Sequence, residues 1–416
     1  MISTALLNTL SPRLKLNYNK PKIENIAFRL HYQMTVTILL AFVVLVCARE
    51  YIGDHIRCIS DQGIPPNVIQ TYCFFMATFT IVRHYNESLL QTGFLPHPGV
   101  GPISASDQVL HHTYYQWVPF VLFMQSICFY LPHYIWKKKE GGRIQALVQG
   151  LQCSALAIED TDMELPTRTV PSKTTLENQI NLIRKDIILR LRISQTWSTW
   201  LVAMEVTNLV HVILEIWIIN KFLNGQFIDL GPRVLAFQNW NDISDPLETV
   251  FPKVTKCIFH KYGPSGSIQQ HDALCVMALN IVHEKIYTIL WFWLLFLFIV
   301  SLLAVIWRVI SFFLYRKSSK FNEMVFRQSS SGKFDASDII YIVDGYKFGD
   351  WLFLYYLSKN MSCDVFQQLY SGLAEELMKR QMPDSEPDNG KMGADPVLIG
   401  RVDYDDETLP LKDKTS

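Results

Sequence analysis

Apolar residues along this chain gather into four runs, each near the length that a membrane demands. Crossing a hydrocarbon core about 30 Å thick takes roughly 20 mainly apolar residues in a helix. The clearest run, Ile286 to Trp307, carries no charge and offers Trp291, Trp293 and Trp307 as interfacial anchors. Met34 to Ala48 is short and extends through uncharged neighbours. Trp117 to Trp136 contains Pro119 and Pro132, which kink a membrane helix without forbidding it. Trp197 to Ile219 is the least uniform, because Glu205, His211 and Glu215 lie inside it. The pattern predicts transmembrane helices at 33–49, 113–136, 196–219 and 286–308.

Between the runs the pattern changes period. In the 137–195 connection, Leu176, Ile180, Ile183 and Ile187 recur at helical spacing, and in the 309–381 region Val365, Leu369, Leu373 and Leu377 share one helix face. The two remaining connections, 50–112 and 220–285, read as folded rather than as linkers. Cys73 to Val82 is too short to span and reads as a buried helix or strand, with "PHPGVGP" and "YGPSG" supplying turns. From Met382 the chain becomes polar and cannot build a core, so 382–416 is expected to be disordered. There is no internal repeat.

Composition agrees with several spans plus sizeable aqueous parts: 49% hydrophobic residues is apolar for a soluble chain, while 18% charged is too polar for one that is all membrane. Lys+Arg and Asp+Glu are both 38, so nothing argues for a nucleic-acid partner. The first apolar run begins after 33 residues and no cleavable signal peptide is evident, so 1–32 is expected to be a retained N-terminal segment. Arg13, Lys15, Lys20, Lys22 and Arg29 precede the first span, whereas 50–112 holds only Arg57 and Arg83. That bias predicts cytosolic termini, a cytosolic 137–195 loop and extracellular 50–112 and 220–285 loops. Each extracellular loop then contains two cysteines, Cys58 with Cys73 and Cys257 with Cys275, which is what a disulfide framework in an oxidising space requires. Three connectivities are open to them. Bridges within each loop would close rings of 14 and 17 intervening residues and leave the two loops free of one another.

Enzyme motifs are missing: there is no P-loop, G-x-S-x-G, H-E-x-x-H or C-x-x-C. His111 and His112 are adjacent, so on a helix they would point about 100° apart and make no one-face metal site. No metal or cofactor is expected. Glu205, Asn208, His211 and Glu215 do share a helix face and are read as polar contacts within the helix bundle. "NES" at Asn86 to Ser88 is a possible N-glycosylation site in the first extracellular loop.

One stretch settles the class. "YYQWVPF" begins with Tyr114, Tyr115, Gln116, Trp117, Val118 and Pro119 at the start of the second span, and it resembles the signature of innexins, the invertebrate gap-junction proteins. It is accompanied, in order, by "YIGDHIRC" from Tyr51, "PHPGVGP" from Pro96, "FPKVTKCIFHKYGPSGSIQQHDALC" from Phe251, "NIVHEKIYTILWFW" from Asn280 and "GDWLFLYYLSKNM" from Gly349. The resemblance covers residues from about 20 to 380. It implies an all-α membrane protein: a four-helix bundle with a disulfide-linked extracellular cap and a helical cytosolic domain. Subunits of that type ring a wide pore in the plasma membrane, in contact with lipid and with identical or related innexin subunits. Hemichannels of adjacent cells dock through the caps, and ions and small molecules pass between the two cytoplasms.

The resemblance also implies bridges between the loops rather than within them, and the nested pairing Cys58 with Cys275 and Cys73 with Cys257 is expected. In the family the N-terminal segment folds into the pore mouth; here Ile2, Leu6 and Leu10 stand at helical spacing before Pro12. The alternative is an undocked hemichannel that releases small solutes. A pore-less tetraspanin-like organiser is disfavoured, since it would show strongly unequal loops and a Cys-Cys-Gly motif, neither of which is present.

Overall fold

The computed structural model describes residues 22–52, 56–60, 64–85, 95, 97–104, 106–148, 173–189, 191–236, 247–329, 342 and 346–381. Ile2, Leu6 and Leu10, the sequon at Asn86 and the 382–416 tail lie outside these residues, as do the side chains of Leu176 and Ile187.

Among the described residues four helices are long and apolar enough to cross a membrane: α1 (Ile26–Glu50), α3 (Val118–Glu140), α6 (Gln195–Phe222) and α8 (Ala278–Lys317). Helix α1 starts at a cap, where the Asn25 side chain accepts from the Phe28 N–H at 2.7 Å. It passes through a widened π-helical stretch, Leu30–Thr35, in which the Thr35 hydroxyl donates to the Leu30 carbonyl at 2.9 Å. Pro119 sits in the first turn of α3, where its missing N–H costs nothing. That helix ends at Gly141, whose φ of 64° suits glycine, with its N–H on the Lys137 carbonyl at 3.2 Å. At 1.5 Å per residue, the 40 residues of α8 extend about 60 Å, twice the hydrocarbon thickness, so both ends project beyond the bilayer.

The projecting ends meet two separate cores. On one side, α2 (Pro66–Met76), α7 (Phe227–Ala236) and five strands form a cap. The strands β1 (Arg57–Ser60), β2 (Thr78–Ile81), β3 (Val109–His112), β4 (Val254–Tyr262) and β5 (Ile268–Val276) make one antiparallel sheet in the order β1-β5-β4-β2-β3. The stretch expected to be helix or strand is both: α2 runs to Met76, Ala77 turns the chain at φ 73°, and β2 follows. The protein is mostly helical, and the cap adds this sheet to the bundle. Its long hairpin, β4 and β5, joins through the "GPSGS" turn; Thr255, Lys256 and Cys257 of β4 and Ala273 and Cys275 of β5 are buried at its base, while His260 to Tyr262 and Ile268 to Gln270 at its outer end are exposed.

On the other side, α4 (Arg143–Val148), α5 (Lys173–Leu189), α9 (Ser319–Ser329), α10 (Phe348–Ser358) and α11 (Cys363–Gln381) pack around the ends of α3 and α6. Ile180 and Ile183 of α5 and Val365, Leu369 and Leu373 of α11 are buried there, as helical spacing demands. Trp136, Trp197 and Tyr356 meet edge-on with centroids 5.3 and 5.7 Å apart. Within one subunit only 22% of the apolar windows of α1 and α8 is buried. Lipid or neighbouring chains must cover the rest.

Candidate functional site: the disulfide cap and its junction with the spans

Two connections far apart in the chain are joined into one body by disulfides. Cys58 of β1 stands directly opposite Cys275 of β5 and is bonded to it, with Cα atoms 4.0 Å apart. Cys73, on the buried face of α2, is bonded to Cys257 of β4 across 5.9 Å between Cα atoms. The bridges span 217 and 184 residues of sequence, so both are cross-loop and nested. All four cysteines are buried, and the sulfurs of Cys58, Cys73 and Cys275 lie within 4.8 Å of one another. Lys256 adds a polar stitch between the loops: its ammonium donates to the Gly101 carbonyl at 3.0 Å and pairs with Asp272 at 2.7 Å.

The "YYQWVP" stretch lies where this cap meets the spans, and its residues divide the labour. Helix α2 ends at Met76 with its last carbonyls unsatisfied by its own backbone. The Tyr115 hydroxyl donates to the Phe74 carbonyl at 2.9 Å, and the Gln116 amide donates to the same oxygen and to the Phe75 carbonyl. Burial pushes the Tyr115 phenol up to about 12, so it remains a donor at neutral pH. Tyr114 turns the other way, edge-on to Phe251 and Phe222 and tilted against His283, and so wedges the second connection against α6 and α8. Val118 is fully buried at the top of α3, while Trp117 is 61% exposed. Tyr115→Phe removes one of the two donors on the Phe74 carbonyl and Gln116 keeps the other, so a cost of about 0.5–1.5 kcal/mol is expected. The check is thermal unfolding of the purified protein, where Tyr115→Phe should melt below the wild type and Trp117→Phe should not.

His111 and His112 occupy adjacent positions on β3 and point to opposite faces, so they build no shared metal site. His112 is buried and hydrogen-bonded to the Thr80 hydroxyl at 2.8 Å. Burial, with His111 beside it, lowers its pKa from 6.5 to about 4. The unfolded chain therefore binds a proton that the folded cap refuses, and stability falls as the pH drops from 6.5 towards 4. His112→Gln is expected to flatten this acid-side loss, read as melting temperature against pH.

Within the bundle the polar face of α6 turns inward. Glu205 receives a two-pronged contact from Arg308 of α8, at 2.8 Å from Nε and 2.6 Å from Nη2. Asn25, at the start of α1, donates to the same carboxylate at 2.9 Å, and Arg308 also reaches the Tyr356 hydroxyl of α10 at 3.4 Å. Asn208 is buried beside them, and one turn further His211 Nε2 meets Glu215 at 3.3 Å. The sequence marked the acidic members by their place inside an apolar run. It gave no sign of Arg308, which stands at the very end of the 286–308 run.

Four spans, with both connections at one end locked by cross-loop disulfides into a single sheet, define a multi-pass membrane protein with a rigid cap. The innexin family model matches residues 24–377, and the chain belongs to that family. It is similar to Innexin inx7 of Drosophila melanogaster, 44% identical over 390 residues that cover 92% of this chain and 87% of the relative. Innexin inx2 of Schistocerca americana is 39% identical over 364 residues, 86% and 95% of the two chains. Innexin shaking-B of Drosophila melanogaster is 35% identical over 363 residues, 86% and 92%. This is a gap-junction channel subunit of the plasma membrane.

Proposed function

We propose that copies of this chain, alone or with related innexins, ring a central pore with the disulfide cap facing outward and both termini in the cytosol. Two such rings on apposed cells dock cap to cap, and ions and small molecules then pass between cytoplasms without any chemical step. The observation that supports this best is the cap itself. Two loops anchored by four spans form one cross-linked sheet, so the docking face is rigid before contact and loses little entropy on meeting its partner. The thinly buried α1 and α8 supply surface for neighbouring subunits and lipid. The N-terminal segment, with Ile2, Leu6 and Leu10, is assigned to the pore mouth on the family pattern.

The sequon at Asn86 favours a second reading, the undocked hemichannel, because a glycan in the first loop is large compared with a close protein contact. Paired-cell electrophysiology separates the two. Junctional current between two expressing cells is the expected result. Current in single cells with none between pairs would turn the assignment to the hemichannel, and Asn86→Gln would then be expected to restore coupling. Surface-delivered protein with neither current would overturn both readings.

A further inference from the structure

We propose that Cys128, His211 and Glu215 form a transition-metal site, suited best to Zn2+, that clamps α3 to α6. His211 and Glu215 are one turn apart on α6 and project from the same face. Cys128 comes from α3, the helix packed against that face, whose Phe129 ring meets the His211 ring edge-on at 4.5 Å. One ligand atom from each of the three lies within 4.8 Å of the others. The proposal stands apart from the channel reading, since it concerns two helices of a single subunit.

The contacts already present leave this cluster incomplete. Glu215 is 4% exposed, and its second carboxylate oxygen has no hydrogen-bond partner; the Nδ1 atom of His211 has none either. On α3, Gln125 lies one turn before Cys128, buried with both amide atoms unpartnered. Buried polar atoms without partners are rare and costly, and several within one short stretch of a membrane bundle point to a missing ligand.

The donor set selects the ion. Thiolate, imidazole and carboxylate are the three ligand types that Zn2+ accepts, at about 2.3, 2.1 and 2.0–2.2 Å in a tetrahedron. Magnesium and calcium take oxygen shells instead, and Cu(I) prefers soft sulfur ligands to a carboxylate. Tetrahedral ligand atoms at those bond lengths sit roughly 3.5 Å apart, so closing the triad takes side-chain shifts of about 1 Å. Binding forms a metal–sulfur bond and releases the thiol proton to water. The divalent ion then faces one thiolate and one carboxylate, and the site is neutral overall, which suits a low-dielectric bundle. His211, with 18% of its side chain exposed, leaves an approach from one side, and a water completes the fourth position.

The test uses the full-length protein in detergent, stripped with a chelator and titrated with Co2+ and then Zn2+. About one Co2+ per chain is expected, with a thiolate-to-metal charge-transfer band that Zn2+ displaces. Cys128→Ser should abolish the band, and Glu215→Gln and His211→Asn should each weaken binding by at least the roughly 10- to 100-fold seen on losing outer-shell partners. A second measurement needs no variant: Zn2+ should slow maleimide labelling of Cys128 in the wild type, leave Cys363 unaffected, and lose its effect when chelator is added. Substoichiometric Co2+, a band that survives in Cys128→Ser, or Cys128 labelling indifferent to Zn2+ would overturn the site.

Discussion

Replacing Cys73 and Cys257 together by serine is expected to abolish junctional coupling while leaving the four spans inserted. The lost bridge is the one that ties α2 to the long hairpin, and through α2 to Tyr115 and Gln116 at the top of α3. Disulfides are typically worth about 2–4 kcal/mol, and chain-entropy arguments place links over such long loops at or above the top of that range. The spans already hold the loop ends near one another, which argues for the lower half of that range in the membrane. Coupling is nevertheless lost, because docking needs a fixed cap rather than an inserted bundle. The single change Cys257→Ser is expected to behave differently from the double one. It frees the Cys73 thiol within 4.8 Å of the Cys58 and Cys275 sulfurs, where thiolate attack on their disulfide has a short path. Non-reducing peptide mapping should therefore find Cys73 joined to Cys58 or Cys275 in Cys257→Ser, and only Cys58 joined to Cys275 in the double variant. Coupling at the wild-type level in the double variant would sink the claim that this bridge shapes the docking face.

Removal of either partner of the Glu205 and Arg308 pair is expected to cost about 3–5 kcal/mol, enough to deplete the subunit at the cell surface. Glu205 is 5% exposed and Arg308 8%, so truncating one leaves the other charged and buried. Four elements converge on the pair: α1 through Asn25, α6 and α8 through the ions themselves, and α10 through Tyr356. Its loss should therefore loosen the domain built on α10 as well as the bundle. Glu205→Leu combined with Arg308→Met removes both charges at similar volume, and buried ion pairs replaced in that way often lose no stability. Surface biotinylation and thermal melting of Glu205→Leu, Arg308→Met and the double variant decide the matter. Recovery in the double variant is the expected outcome, and singles as stable as the wild type would show that the pair does not hold the elements together.

Much of the protein's plan is carried by one-dimensional pattern. Four apolar runs set four spans because nothing else satisfies backbone hydrogen bonds in lipid, and that requirement is local to each run. Two cysteines in each of two connections at the same end set a disulfide framework, and ordered motifs such as "YYQWVP" set the family. The amphipathic faces of α5 and α11 follow from spacing alone, since a helix repeats every 3.6 residues wherever it lies.

What the tertiary structure decided depends on residues distant in sequence. The sheet order β1-β5-β4-β2-β3 interleaves two connections separated by two spans, and three of its strands are only four residues long, too short for period-two alternation to declare them. The role of Tyr115 and Gln116 appears only when the end of α2 is brought beside them, because an unsatisfied helix carbonyl is a property of a place rather than of a residue type. Glu205 stood out in an apolar run, yet its partner is 103 residues away, and His211 and Glu215 gain Cys128 only through the packing of α3 on α6. Local pattern dictates which elements form, since propensity and burial act over a few turns. Partnership between charges, sulfurs and orphan carbonyls is decided by folding, since each interaction reaches only a few ångströms and does not register how far apart its members lie in the chain.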